Sequence, residues 1–203
     1  MRVLHHYPLS PSSRLIRLYL SEKKIEFVTK LELFWERSDA LLKLNPSGEV
    51  PILSDEDNTV LCGSGVIIEY FEEYDPQYKM FGNTSEARAI SRSLERTVDT
   101  GVLIPVGMTV HATRSPIGLP PNAEVAAAGL RSARGTLELL NVLMSDGRSY
   151  LEGDEPSVAD CTLAAALQFG RFGRLSLLDD LDYLAMWDER YRARPAAKNI
   201  LII

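Results

Sequence analysis

The pattern of this chain changes once. Through about residue 75 short β-prone runs alternate with helical stripes, and after that the strand signals disappear. "RVLH" at 2–5 reads as a strand, and "SRLIRLYLSEKK" places Leu15, Leu18 and Tyr19 at helical spacing. "IEFVTKLEL" is a second strand. "WERSDALLKL" is a helix that ends before Asn45-Pro46, because the residue before a proline avoids the helical region. "EVPIL" and "NTVLC" flank the turn-rich "SDEDN" as a hairpin, and "SGVIIEYFEEY" is a helix that stops at Asp75-Pro76. The order β-α-β-α-β-β-α predicts an α/β domain over 1–78. The remainder reads as helices only. "SEARAISRSLERTVDTGVLIPVGMTVHAT" breaks near Gly101 to Pro105, and "AEVAAAGLRSARGTLELLNVLMS" follows. "SVADCTLAAALQFGRF" is apolar nearly all round and therefore central, and "DLDYLAMWDERYRARP" comes last. An all-α bundle over 84–203 is expected, with the boundary at Pro76, Gly82 and Asn83.

Charge and cysteine usage narrow the function. A net charge of −6 argues against a nucleic-acid polyanion as partner. No apolar run reaches transmembrane length, so no membrane partner is expected. Arg2, His5, His6 and Arg14 interrupt any secretory apolar stretch near the start. Cys62 and Cys161 are single and distant, which suits a reducing, cytoplasmic setting. The three histidines lack metal-ligand spacing, so no metal is expected.

Four short stretches could carry chemistry, and each also has a plain structural reading. In "NPSGEVPIL" a proline heads a β-run, where it cannot donate to the ladder. A cis Val50-Pro51 bond would turn the Val50 main chain outward, free to pair with an extended peptide; a trans proline at a strand start is the alternative. Ser64 stands where a helix cap belongs, and such an end suits a carboxylate. In "SPSSR", Ser12 or Ser13 is expected to cap a helix starting near Arg14, with Ser10 further out in the loop. A hydroxyl there could donate to a bound thiolate, or serve only as a turn residue. "SVAD" has Ser157 and Asp160 at capping-box spacing, a folding signal.

Together these pieces resemble the glutathione S-transferase superfamily, in its serine-type and bacterial forms. The resemblance rests on the order of the S-P-x-S-R loop, "NPSGEVPIL", a serine opening the third helix, and S-x-A-D in an all-α region. It implies a thioredoxin-like glutathione-binding domain followed by a helical substrate-binding domain, the glutathione transferase fold. It implies a detoxifying transferase that uses glutathione as co-substrate against a small hydrophobic electrophile, and a homodimer. Ser10 would be the catalytic thiolate donor, ahead of Ser12 and Ser13, with Tyr7 last. Val50, ahead of the cis Pro51, would pair with the cysteinyl part of glutathione. Ser64 would hold the γ-glutamyl carboxylate and Glu49 would contribute from the rim; Arg37 would take the glycyl carboxylate, or is a solvated helix residue.

One departure stands out. The family usually shows Glu-Ser where this chain has Gly63-Ser64, and the missing carboxylate would hold the ligand's ammonium. That departure supports an alternative, a non-catalytic glutathione-binding or protein-interaction module on the same fold. A thiol-reducing enzyme would need a cysteine at the Ser10 position. "LIPVGMTVHATRSP" resembles a pocket-lining segment of bacterial members, so Met108, His111 and Arg114 could face the electrophile; the alternative puts Met108 in the core, where it is expected, and leaves His111 and Arg114 solvated.

Overall fold

The computed structural model describes residues 1–74 and 78–202. The chain divides into two compact units, Met1–Lys79 and Met80–Ile203. The helix stop expected at Asp75-Pro76, and the Pro76 part of the boundary, lie outside the described residues.

The first unit runs β1 (Val3–His6), α1 (Pro11–Glu22), β2 (Val28–Leu31), a 3-10 turn (Phe34–Glu36), α2 (Asp39–Leu44), β3 (Ile52–Ser54), β4 (Val60–Cys62) and α3 (Ser64–Tyr74). The four strands form one sheet in the order β2-β1-β3-β4. β1 pairs parallel to β2 and antiparallel to β3, which completes a hairpin with β4. β1 and β3 are central, so Leu4, Ile52 and Leu53 are fully buried. Every residue of the edge strand β2 is exposed. The stripe Leu15, Leu18 and Tyr19 buries the inner side of α1, and Ile67 and Phe71 do the same for α3. The Val50-Pro51 bond is cis.

Three boundaries differ from the sequence reading. The first helix begins at Pro11, not Arg14, and its cap is Ser10, not Ser12 or Ser13. Proline fits the first helical position because its missing N–H would have no partner there. The second helix begins at Asp39 with Ser38 as its cap, so Trp35 to Arg37 stand outside it. Arg37 takes a left-handed backbone with φ of 49°. At α3, Gly63 holds the capping place: its carbonyl accepts the Ile67 N–H, and Ser64 is the first helical residue. Ser64 is therefore not the cap.

The second unit is helical: α4 (Ser85–Val98), a π-helical turn (Asp99–Leu103), α5 (Ile104–Arg114), α6 (Ala123–Leu143), a 3-10 turn (Met144–Asp146), α7 (Val158–Phe172) and α8 (Asp182–Arg192). The break expected near Gly101 to Pro105 is instead a π turn that carries α4 into α5 without a gap. Pro105, the second residue of α5, comes just after this π turn, so the helix passes through the proline without ending. Gly101 lies against Thr136 of α6 so closely that a Cβ would collide with it. α7 is buried from Val158 through Gly170, as its all-round apolarity predicts. Its start is a capping box. The Asp160 carboxylate accepts from Ser157 N (2.8 Å), Ser157 Oγ (2.8 Å), Leu151 N (3.0 Å) and Trp187 Nε1 (2.7 Å). No helix among the described residues is long and apolar enough to cross a membrane.

Candidate functional site

Parallel pairing sets where the loops of the first unit emerge. His6 pairs with Leu31, so β1 and β2 end on the same side, and the loops after them start together. β3 runs the other way, with His5 opposite Ile52, so Val50 enters β3 at the end where Tyr7 leaves β1. In α/β sheets this is the end where ligands bind. The Tyr7 ring meets the rings of Trp35 (4.9 Å) and Phe34 (6.1 Å) across the two loops.

Ser10 closes the first of these loops. Its N–H donates to the Tyr7 carbonyl (3.0 Å) and its Oγ accepts the Ser13 N–H (3.2 Å). A hydroxyl has two lone pairs and one hydrogen. Capping uses a lone pair and leaves the hydrogen to donate elsewhere, so a capping role and a donor role coexist in one half-buried side chain. Ser13 is fully buried inside α1, while Ser12 is half-buried in its first turn.

The "NPSGEVPIL" segment is fixed from both sides. Asn45 Nδ2 donates to the Glu49 carbonyl (2.9 Å), and Asn45 Oδ1 accepts from Ser47 Oγ (2.9 Å). Arg37 Nη1 reaches across to the Ser47 carbonyl (3.0 Å). The N–H and C=O of Val50 join no main-chain hydrogen bond among the described residues. The Glu49 side chain is exposed beside them. One residue on, the Pro51 carbonyl accepts the Gly63 N–H (2.9 Å), which ties the Val50 region to the start of α3. The structure thus brings Arg37, Glu49, Val50, Pro51, Gly63 and Ser64 onto linked turns. The first N–H groups of α3 have no partner within the helix, and Ser64 is half-buried at that end. Gly63 has φ of +92°, a backbone that side-chain-bearing residues rarely adopt, and a Cβ there would meet nothing within 4 Å. That conformation suits glycine in the place where the resemblance expects glutamate.

In the second unit Met108, His111 and Arg114 lie along α5. Met108 is 47% exposed, which corrects the expectation that it fills the core. His111 is half-buried; its Nδ1 is 3.1 Å from Ser115 Oγ, its ring tilts against Phe169, and burial lowers its pKa. Arg114 donates to the Phe172 carbonyl (3.1 Å) and lies over the Phe172 ring.

Sequence reasoning missed a buried basic cluster under the Ser10 loop. His6 is 6% exposed and Arg14 is 2% exposed. Burial, with Arg17 nearby, lowers the His6 pKa to about 4, so this ring is neutral at neutral pH. The adjacency of Arg14 to Ser13 was the available signal, but at helical spacing it reads as a surface charge. No group of three or more potential metal ligands occurs among the described residues.

A four-stranded mixed sheet with a cis proline heading its third strand, continued by a helical unit with a capping box, is the glutathione transferase fold. Comparison with known proteins agrees over most of the chain. Residues 9–74 match the glutathione S-transferase N-terminal domain and residues 106–195 the C-terminal domain. FtsZ-localized protein A of Caulobacter vibrioides is 31% identical over 98% of this chain and 90% of that protein. Glutathione S-transferase 2 of Saccharomyces cerevisiae is 27% identical over 99% and 90%. A glutathione S-transferase structure from Rhodospirillum rubrum superposes with a TM-score of 0.88 at 28% identity, covering 100% of this chain and 93% of that one. This chain belongs to the glutathione S-transferase superfamily.

Proposed function

We propose that this protein is a glutathione transferase of the serine type, with Ser10 as the donor that stabilises the glutathione thiolate. The observation that carries this reading is the Ser10 hydrogen-bond pattern: Oγ accepts from Ser13 N and keeps its hydrogen for a ligand. The unit of residues 1–78 would bind glutathione, and 84–203 the electrophile, with Met108, His111 and Arg114 on the side that receives it. The peptide main chain of glutathione would pair with Val50, its γ-glutamyl carboxylate would meet the α3 N–H groups and Ser64, and Arg37 would take the glycyl carboxylate. In the reaction the thiol proton leaves to solvent and the sulfur forms a bond to the electrophilic carbon. The leaving group departs with the bonding electron pair. Ser10 donates a hydrogen bond throughout and forms no covalent intermediate.

A second reading, a non-catalytic module, draws on Gly63 and on the similarity to FtsZ-localized protein A. A charge-assisted hydrogen bond that Gly63 cannot supply is worth about 1.5–3 kcal/mol, at least tenfold in affinity. Calorimetry paired with a conjugation assay separates the readings. Glutathione binding with turnover supports the transferase; binding without turnover supports a glutathione-binding module, and absence of heat at millimolar ligand supports a protein-interaction module.

A further inference from the structure

Arg14 is a buried charge that nothing neutralises. Its Nη2 donates to the Pro8 carbonyl (3.0 Å), inside the loop that ends at Ser10. Its Nε and Nη1 are buried with no hydrogen-bond partner. No carboxylate among the described residues forms an ion pair with it. The Arg14 N–H donates to the Ser10 carbonyl (2.9 Å), so Arg14 lies one turn in from the residue that caps α1.

The charged groups around it offer no relief. Arg17, one turn further along α1, carries the same sign. His6 on β1 is neutral at neutral pH, as described above. On α3, which packs against α1, Glu72 is already engaged by Tyr19 Oη (2.9 Å) and Lys23 Nζ (3.3 Å). Glu69 of α3 and Glu22 of α1 have partners of their own. Burial, then Arg17, lowers the Arg14 pKa to about 10, which still leaves it charged at neutral pH.

A buried cation without a counter-charge destabilises a fold, and its replacement by a well-packed apolar residue is often neutral or stabilising. Active sites can carry such destabilising arrangements where activity needs them. We propose that Arg14 is a positioning residue for the Ser10 site: it holds the loop through Pro8, and its unneutralised charge favours the thiolate of a thiol bound at Ser10. This rests on the transferase reading above. The missing counter-charge would be the negative sulfur of the ligand itself. An opposite charge within about 4–6 Å lowers the pKa of an acid by about one or more.

The experiment titrates the thiolate of bound glutathione by its ultraviolet absorbance in the wild type, Arg14→Met and Arg14→Lys, with urea midpoints measured alongside. Arg14→Met is expected to fold with an unchanged or higher midpoint and to bind glutathione, while the bound thiol pKa rises by about one or more. Arg14→Lys keeps the charge and is expected to hold the thiol near its wild-type value. An Arg14→Met variant that folds, binds glutathione and retains the wild-type thiol pKa overturns the inference and leaves the Ser10 reading intact. If Arg14→Met loses its fold and Arg14→Lys, though folded, no longer lowers the thiol pKa, Arg14 is structural and the inference fails. A wild-type complex whose thiol pKa matches free glutathione overturns both readings.

Discussion

Arg37 lies across Gly48. A Cβ at residue 48 would come within 2.6 Å of Arg37 Nη1, and the same guanidinium donates to the Ser47 carbonyl next door. The glycine, at φ of +74°, is what lets the arginine cross the turn beside Val50. Gly48→Ala should therefore displace Arg37, and Arg37→Ala should remove it. Each is expected to weaken glutathione binding by roughly two- to fivefold, the size of an exposed charge pair. Because both act through one side chain, the double variant should lose no more than about the Arg37→Ala loss. Calorimetric titration of the three variants checks this, and multiplicative losses would show two independent effects.

Gly63→Glu tests the departure from the family pattern. The left-handed backbone should cost about 1–2 kcal/mol of stability, seen as a lower melting temperature. If an acid at this position holds the ligand's ammonium, glutathione should bind about tenfold tighter or better despite that loss. Unchanged affinity would mean the acid has no such role in this chain.

Asp160 anchors the second unit. Asp160→Ala leaves the Leu151 and Ser157 N–H groups and the Trp187 indole N–H without their acceptor. At about 1–3 kcal/mol for each unsatisfied buried group, the loss should reach about 3 kcal/mol or more in urea unfolding. A loss below about 1 kcal/mol would show that water or other groups replace the carboxylate.

His6 gives stability a pH dependence of defined sign. The unfolded chain takes up a proton near the ordinary histidine pKa of 6.5, whereas the folded ring resists protonation down to about 4. The unfolded state therefore binds more protons across that window, and the His6 contribution to stability falls as pH falls from 6.5 toward 4. His6→Leu should flatten the pH profile of the unfolding free energy by up to about 1.4 kcal/mol per pH unit there. Identical slopes in the two proteins would contradict a neutral buried His6.

The order of elements was legible because each carries its own periodicity, and α7 could be placed in the core because no face of it is polar. The capping box was legible because cap spacing is local, whereas local chemistry left Val50-Pro51 open between cis and trans. What escaped was set at longer range. Ser10 caps α1 because Pro11 can start a helix, a fact that a row of three serines conceals. Arg37 stands outside α2 in a left-handed turn, and its guanidinium donates to the Ser47 carbonyl ten residues away, a contact no local pattern announces. Arg14 reads as one more charge at helical spacing, and only burial shows that it lacks a counter-ion. The π turn at Asp99–Leu103 keeps α4 and α5 continuous where glycine and proline together suggest a stop.

The most direct measurement compares conjugation of glutathione to an aryl halide by the wild type and by Ser10→Ala, with glutathione binding measured on the same samples. We expect glutathione to bind both with similar heat, while the alanine variant loses roughly ten- to hundredfold in kcat, the worth of one hydrogen bond to a charged sulfur. An unchanged kcat in Ser10→Ala, with glutathione bound, contradicts the assignment of Ser10 as the thiolate donor.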